Sequence, residues 1–304
     1  MKVIGAGGFG TVYQMPNGNV IKAIVSATAC DDAAVELGKQ QLAYDVFENL
    51  SLINSNNPKF STLNLINKYV RVSKPIESHD EPFVADNKQY ACYFVMEKLN
   101  GIPLSMLVQA EPNSLESIDP AFIKKQGMDY EIMVQLTYNS ELSEKIYGSN
   151  YSKAKISENN PPRGYFISDQ AKLLDSFREL YGLTLTNDQI KEMIGFIYGI
   201  LFYYGKLIPV DIEITLGYYD GEFKINVLDF GLTINLNDLA NIPITPNTSE
   251  FVKILSKSIP DEEKFRELER TTIEQLSIDL YCELDEDSAC RRGWTAAKAM
   301  SQQG

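Results

Sequence analysis

Two periods of apolar residues alternate along the chain. Near the start the apolar positions come in short runs broken by glycine, proline or asparagine, the pattern of strands. Thr11-Val12-Tyr13 and Val20-Ile21-Lys22-Ala23-Ile24 flank the polar turn Pro16-Asn17-Gly18-Asn19 and predict a hairpin. Residues 31–50 then change to a helical period through Ala34, Leu37, Gln41, Tyr44 and Phe47, with Asp31 or Asp32 placed to cap it. The Asn- and Ser-rich residues 51–64 read as loop, and residues 65–72 and 90–99 as strands. The second of these strands ends in Asn100-Gly101-Ile102-Pro103, a turn suited to a boundary between lobes. Helices are predicted over 114–125, 130–146 and 168–180, and an exposed loop over 149–163. Thr186 and Gln189 match a capping box, and Ile190, Met193, Ile194, Ile197, Leu201 and Tyr204 continue it as a helix apolar enough to be central. Alternating residues on either side of Asp220-Gly221 predict a second hairpin. A last helix over 261–283 buries Phe265, Leu268, Leu276 and Leu280, and an acidic patch from Glu283 to Asp287 precedes a small-residue tail expected to be mobile.

At 304 residues the chain is long enough for one two-lobed domain or two modest ones. A net charge of −13 argues against nucleic acid or an anionic membrane surface as partner. No apolar run approaches the roughly 18 residues that span a bilayer, and no charged-then-apolar leader opens the sequence. Cys30, Cys92, Cys282 and Cys290 lack C-x-x-C spacing, which predicts free thiols in a reducing, cytoplasmic compartment. His79, the single histidine, stands in a polar stretch and reads as a solvated loop residue without chemistry.

The candidate chemistry is concentrated in two places. Gly5, Gly7 and Gly10 with Val12 spell G-x-G-x-x-G-x-V, and Lys22 follows on the next apolar run. Glycines let backbone approach a phosphate chain closely, and a lysine on the neighbouring strand can reach that chain. A dinucleotide fold would place these glycines between a strand and a helix, whereas here they lie between strands; a phosphate loop of the G-K-[ST] type is absent. Glu36 on the following helix is placed to hold Lys22 by an ion pair, with Glu48 as a rival and a plain surface charge as the simpler explanation. Far along the chain the second hairpin brings Asp211 and Glu213 near Asp229, and such carboxylates suit Mg²⁺ with phosphate oxygens completing the shell. They also suit the polar ends of a solvated hairpin.

Taken together, the glycine loop at 5–12, Lys22 in V-I-K-A-I, the strand and turn over 93–104, and Asp229-Phe230-Gly231 resemble the protein kinase superfamily, in the family's order. The stretch Asp211-Ile212-Glu213-Ile214-Thr215-Leu216-Gly217, with Arg163-Gly164-Tyr165-Phe166 upstream, is more distantly similar to kinase-like domains of fungal zinc-finger proteins. The resemblance implies an α+β, protein-kinase-like bilobal fold: a small β-rich N-lobe over 1–103, a mainly helical C-lobe over 104–260, and a C-terminal helix and acidic tail over 261–304. It implies ATP and Mg²⁺ as cofactors. Gly5, Gly7, Gly8, Gly10 and Val12 would cover the phosphates, Lys22 would neutralise them steadied by Glu36, and Met96, Glu97 and Leu99 would seat the adenine. Asp229 and Glu213 would bind metal.

The chain departs from that pattern where the catalytic base belongs. There is no H-R-D, and counting back five from Glu213 reaches Ile208, which leaves Asp211 as the candidate base. No A-P-E follows the D-F-G. The expectation is an atypical enzyme that uses Mg-ATP to phosphorylate a protein substrate. A pseudokinase acting as a binding module and a kinase-fold nucleotidyltransferase that transfers AMP are the alternatives. The acidic C-terminal region also resembles the export signal of effectors injected by bacteria, which would place the chain in a host cytosol.

Overall fold

In the computed structural model, the described residues are 1–6, 10–53, 61–99, 134–135, 182–209, 212–219, 222–231, 233–236 and 288–302, with single positions at 178, 274, 275, 277, 278 and 282. They form an α+β structure. In chain order it runs β1 (Lys2–Ala6), β2 (Thr11–Gln14), β3 (Val20–Ile24), α1 (Cys30–Ser51), α2 (Ser61–Tyr69), β4 (Val70–Val72) and β5 (Pro75–His79). It continues with β6 (Phe83–Ala85), β7 (Lys88–Tyr90), β8 (Cys92–Met96), β9 (Val134–Gln135) and α3 (Asn187–Tyr203). It ends with β10 (Leu207–Ile208), β11 (Glu213–Tyr219), β12 (Glu222–Leu228), β13 (Ile234–Asn235) and α4 (Ala289–Ser301).

The first sheet has five strands in the order β1-β2-β3-β8-β5, all antiparallel. Side chains alternate between its faces. One row across the strands is Val12, Lys22 and Phe94, and the next is Tyr13, Ile21 and Val95. The second row buries Tyr13, Ile21 and Val95 with Tyr90 and Ala85 of the β6–β7 hairpin, and the Tyr13 and Tyr90 hydroxyls bond at 2.7 Å. The hairpin turns on Asp86 and Asn87, both left-handed (φ 49° and 59°), the backbone that a tight two-residue turn requires. The opposite face packs Ile24, Cys92 and Phe94 on Ala33 of α1.

Helix α1 matches the predicted span, but its buried stripe is turned by one residue. Ala33, Glu36, Gln40, Ala43, Val46 and Leu50 face inward, while Ala34 and Gln41 are exposed and Leu37, Tyr44 and Phe47 are only partly covered. The apolar pattern pointed beside the true face because two of its buried positions are polar. Asp31 and Asp32 lie in the first turn, where they favour the helix dipole, and Ala29 holds the cap position without a side-chain bond.

The predicted loop and strand over 51–72 are corrected in part. Residues Ser61–Tyr69 are helical, with Thr62, Leu63 and Ile66 buried, and the strand shrinks to Val70–Val72. Leu63 and Ile66 keep a helical step that the Asn and Ser around them obscure. The strand then pairs in parallel with β12, inside a sheet ordered β4-β12-β11-β9. The β11–β12 hairpin is as predicted, in continuous register from Glu213 opposite Leu228 to Tyr219 opposite Glu222. Within the predicted helix 130–146, Val134 and Gln135 form strand β9 instead, because pairing with Thr215 and Leu216 supplies ladder bonds that outweigh local propensity. The rest of that helix, the predicted helix 114–125 and the loop 149–163 lie outside the described residues, as do most of 168–180 and 261–283.

Helix α3 begins at the capping box: Gln189 N–H donates to Thr186, and the Gln189 side chain accepts from the Thr186 amide. It is the centre of the largest core cluster, which gathers the far end of α1, α2, the β11–β12 hairpin and α4. Within the small-residue tail, Ala289–Ser301 is helical. It forms α4, buries Trp294 and Ala297, and packs along α3. A Cβ on Gly195 would stand 1.9 Å from the Cys290 carbonyl oxygen, and one on Gly293 would stand 1.8 Å from that of Glu192. Glycine at these positions lets two helix backbones approach closely, which composition alone reads as a loose tail. Among the described residues no helix is long and apolar enough to cross a membrane.

The cysteines also differ from expectation. Cys30 is bonded to Cys92 and Cys282 to Cys290, with Cα separations of 5.9 and 5.4 Å, and no free thiol remains. Spacing in sequence did not show this, because the first pair is brought together only when the start of α1 packs on β8. His79 is likewise the last residue of β5 rather than a loop residue, and its ring stacks on Tyr93 at 4.4 Å.

Candidate functional site

The site is built where α1 crosses the first sheet and the chain returns after β12. Lys22 is the middle residue of β3, on the face that α1 covers. Its ammonium forms an ion pair with Glu36 of α1 and lies 3.9 Å from Asp229 Oδ1. It also stands 5.7 Å from the centre of the Phe94 ring. The Lys22 and Glu36 side chains are 13% and 9% exposed, whereas Asp229 is 51% exposed. The carboxylate pair is therefore asymmetric: one member is interior and anchors the lysine, the other opens to solvent. Glu48, the rival partner, is exposed on the far turn of α1.

Burial pushes the Glu36 carboxyl above the usual glutamate range, and Lys22 pulls in the opposite direction without cancelling the shift. Asp229 holds a left-handed backbone (φ 56°), uncommon for a residue other than glycine, immediately after β12. Phe230 anchors this turn by full burial in the main core. Gly231 N–H reaches toward Asp229 Oδ1 at 3.4 Å, and Lys39 Nζ donates to the Gly231 carbonyl at 3.2 Å. A Cβ on Gly231 would come within 3.3 Å of Glu36 Oε2, so the glycine keeps the turn close to α1. Lys39 was not singled out from the sequence. Only the fold shows that it faces the same turn as Glu36, three residues earlier on the helix.

A second group extends from the site along β8. Gln40, 3% exposed, donates from Nε2 to the Ser73 carbonyl at 2.8 Å and approaches Met96 Sδ at 3.5 Å. Ser73 Oγ donates to the Glu97 carbonyl at 2.6 Å, and the Glu97 amide donates to the Lys74 carbonyl at 2.8 Å. Arg71 holds the Glu97 carboxylate at 2.7 Å. Glu97 is thus engaged by the protein through its amide, carbonyl and side chain. Met96 lies at the end of β8, between β3 and β5, and Leu99 follows in irregular chain.

The glycine loop is described in part. Gly5 lies in β1 beside a register irregularity, opposite Val12, and Val12 in turn is opposite Lys22. A Cβ on Gly10 would be 2.4 Å from the Ala23 carbonyl oxygen, so packing of β2 on β3 alone requires glycine there. Gly7, Gly8 and Asp211 lie outside the described residues. Glu213 opens β11, paired with Leu228, one residue before Asp229. Ile208, the residue reached by counting back five from Glu213, is fully buried and paired with Ile234. Among the described residues no three His, Cys, Asp or Glu side chains gather as a metal site. Among the described side chains of the site, Asp229 presents an open carboxylate. That fits a Mg²⁺ bound mainly through phosphate oxygens and water with one or two protein carboxylates.

Searches against protein-family models, curated proteins and solved structures find no match to the chain.

Proposed function

We propose that the chain is a divergent protein with a kinase-like bilobal fold, which uses Mg-ATP to transfer phosphate to a protein substrate. The first sheet with α1 forms its small lobe, and the α3-centred core forms the large one. The observation that supports this reading is the position of Lys22, held by buried Glu36 and facing the open carboxylate of Asp229 from a distant part of the chain. An ion pair inside the fold keeps the lysine extended, so its charge is oriented before a phosphate arrives. Gly5, Gly7, Gly8, Gly10 and Val12 cover the phosphates, and Met96, Glu97 and Leu99 line the base. Asp229 and Glu213 hold the metal, which when bound neutralises phosphate charge. As a polyphosphate enters, Lys22 leaves Asp229 for phosphate oxygens and keeps Glu36. Asp211 takes the proton from the acceptor hydroxyl.

A second reading, a nucleotide-dependent binding module without transfer, is favoured by Ile208, the buried apolar residue that a count back from Glu213 reaches where a base is expected. One experiment separates the readings. Thermal unfolding of the full chain is followed with ATP, with and without Mg²⁺, for the wild type, Lys22→Met and Asp229→Asn. A ligand that binds only the native state raises the unfolding temperature. A metal-dependent rise that both substitutions reduce supports the site, and no rise at millimolar ATP refutes it. Label transferred from the γ-phosphate then supports phosphorylation, label from the α-phosphate indicates AMP transfer, and binding with neither leaves the module.

A further inference from the structure

We propose that the Cys30–Cys92 disulfide is a thiol-sensitive clamp that holds the first half of α1, and with it Glu36, on the Lys22 face of the sheet. Alternate residues of β8 point toward α1, and each marks one level of the helix–sheet contact. Cys92 bonds Cys30 at the first residue of α1. Phe94 lies beside Lys22, which meets Glu36. Met96 meets Gln40, which also bonds Ser73. The covalent level, the ionic level and the hydrogen-bonded level therefore follow one another along a single helix.

Apart from the bond, the first level is held by the partly buried Ala29 and Cys30 packed on the Ile24, Cys92 and Phe94 cluster. The 3-10 turn at Ala27–Ala29 buries no residue, and Ala29 caps α1 without a side-chain bond. Asp31 and Asp32 are exposed, so Ala33 is the first residue of the helix to enter the core. The bond is also reachable. Cys30 is partly exposed, whereas Cys92 is buried, so the reagent meets Cys30 first. An external dithiol attacks Cys30 Sγ as its thiolate, the sulfur–sulfur bond breaks, and Cys92 leaves as a thiolate that takes a proton from water. The reagent's second sulfur, as its thiolate, then attacks the first and releases Cys30, which takes a proton from water. The reagent ends as a cyclic disulfide and the protein as two thiols. With the first level open, the start of α1 lifts, and the Lys22–Glu36 pair loses its covalent anchor.

The clamp stands on this geometry alone; its effect on nucleotide binding rests on the function proposed above. The test uses the full chain, oxidised and after dithiothreitol, together with the Cys30→Ser/Cys92→Ser double variant. Amide hydrogen exchange is the readout. Reduction is expected to speed exchange over residues 31–40 by about tenfold, the scale of a local opening, with α3 unchanged. The double variant should exchange fast at 31–40 with or without dithiothreitol. Mg-ATP should raise the unfolding temperature less in the reduced protein. The proposal is overturned if exchange at 31–40 does not respond, if α3 responds equally, or if the double variant still responds to dithiothreitol, which would assign the effect to Cys282–Cys290. Four alkylatable thiols in air-oxidised protein would overturn it as well. A missing Mg-ATP effect in both redox states refutes the proposed function and leaves the clamp to the exchange result.

Discussion

Lys22 and Glu36 should prove strongly coupled in stability. Their side chains are 13% and 9% exposed, so each is the other's principal compensation for lost water. Removing one member of a buried pair typically destabilises by about 3–5 kcal/mol, because the remaining charge is stranded. Two features of this site bring the effect to the low end of that range or just below it. After Glu36→Gln, Lys22 still has Asp229 Oδ1 at 3.9 Å. After Lys22→Met, Glu36 can protonate, since burial already favours its neutral form. We therefore expect losses of about 3 kcal/mol for Lys22→Met and about 2 kcal/mol for Glu36→Gln. The double variant strands no charge and should lose about 3 kcal/mol, which gives a coupling of about 2 kcal/mol. Urea unfolding of the four proteins at pH 7, followed by far-ultraviolet circular dichroism, measures the cycle. Additivity within about 0.5 kcal/mol, the range for independent sites, would refute the reasoning and mean that the pair is solvated in solution.

Two further outcomes follow from the same structure. Because the Glu36 carboxyl is raised, the folded chain holds a proton there more tightly than the unfolded chain does. The stability of the wild type relative to Glu36→Gln should then rise as pH falls from 7 toward the ordinary glutamate range, while the Mg-ATP shift weakens as the ion pair is lost. A relative stability that falls over that range would contradict the assignment. At the other end of the molecule, Trp294 is 1% exposed and its indole N–H donates to Tyr203 Oη at 3.1 Å. Trp294→Ala should destabilise by about 3–5 kcal/mol, measured by urea unfolding, and a loss under about 1 kcal/mol would show that α4 does not stay docked on α3.

The elements with strong local signals were legible in the residues alone. The capping box of α3, the β2–β3 turn and the β11–β12 hairpin each carry turn or cap chemistry within a few positions, and each forms as its sequence predicts. Lys22 and Asp229 were legible as candidates by residue type and motif. What could not be read locally depended on a distant partner. Helix α1 turns Glu36 and Gln40 inward because a lysine from β3 and a carbonyl from residue 73 satisfy them there. Val134 and Gln135 become a strand because β11 offers an edge.

The tail at 289–301 looks loose by composition, yet its glycine and alanine allow a close contact that only an opposing helix makes favourable. Cys30 and Cys92 stand 62 positions apart, and nothing in either flank announces the other. The chain by itself determined which segments alternate, which repeat every three or four residues, and which charged groups were available, since those follow from backbone geometry and side-chain chemistry. Which face of a helix is interior, and which charges and sulfurs meet, was decided by packing, because burying a polar group is favourable only where its partner is already in place.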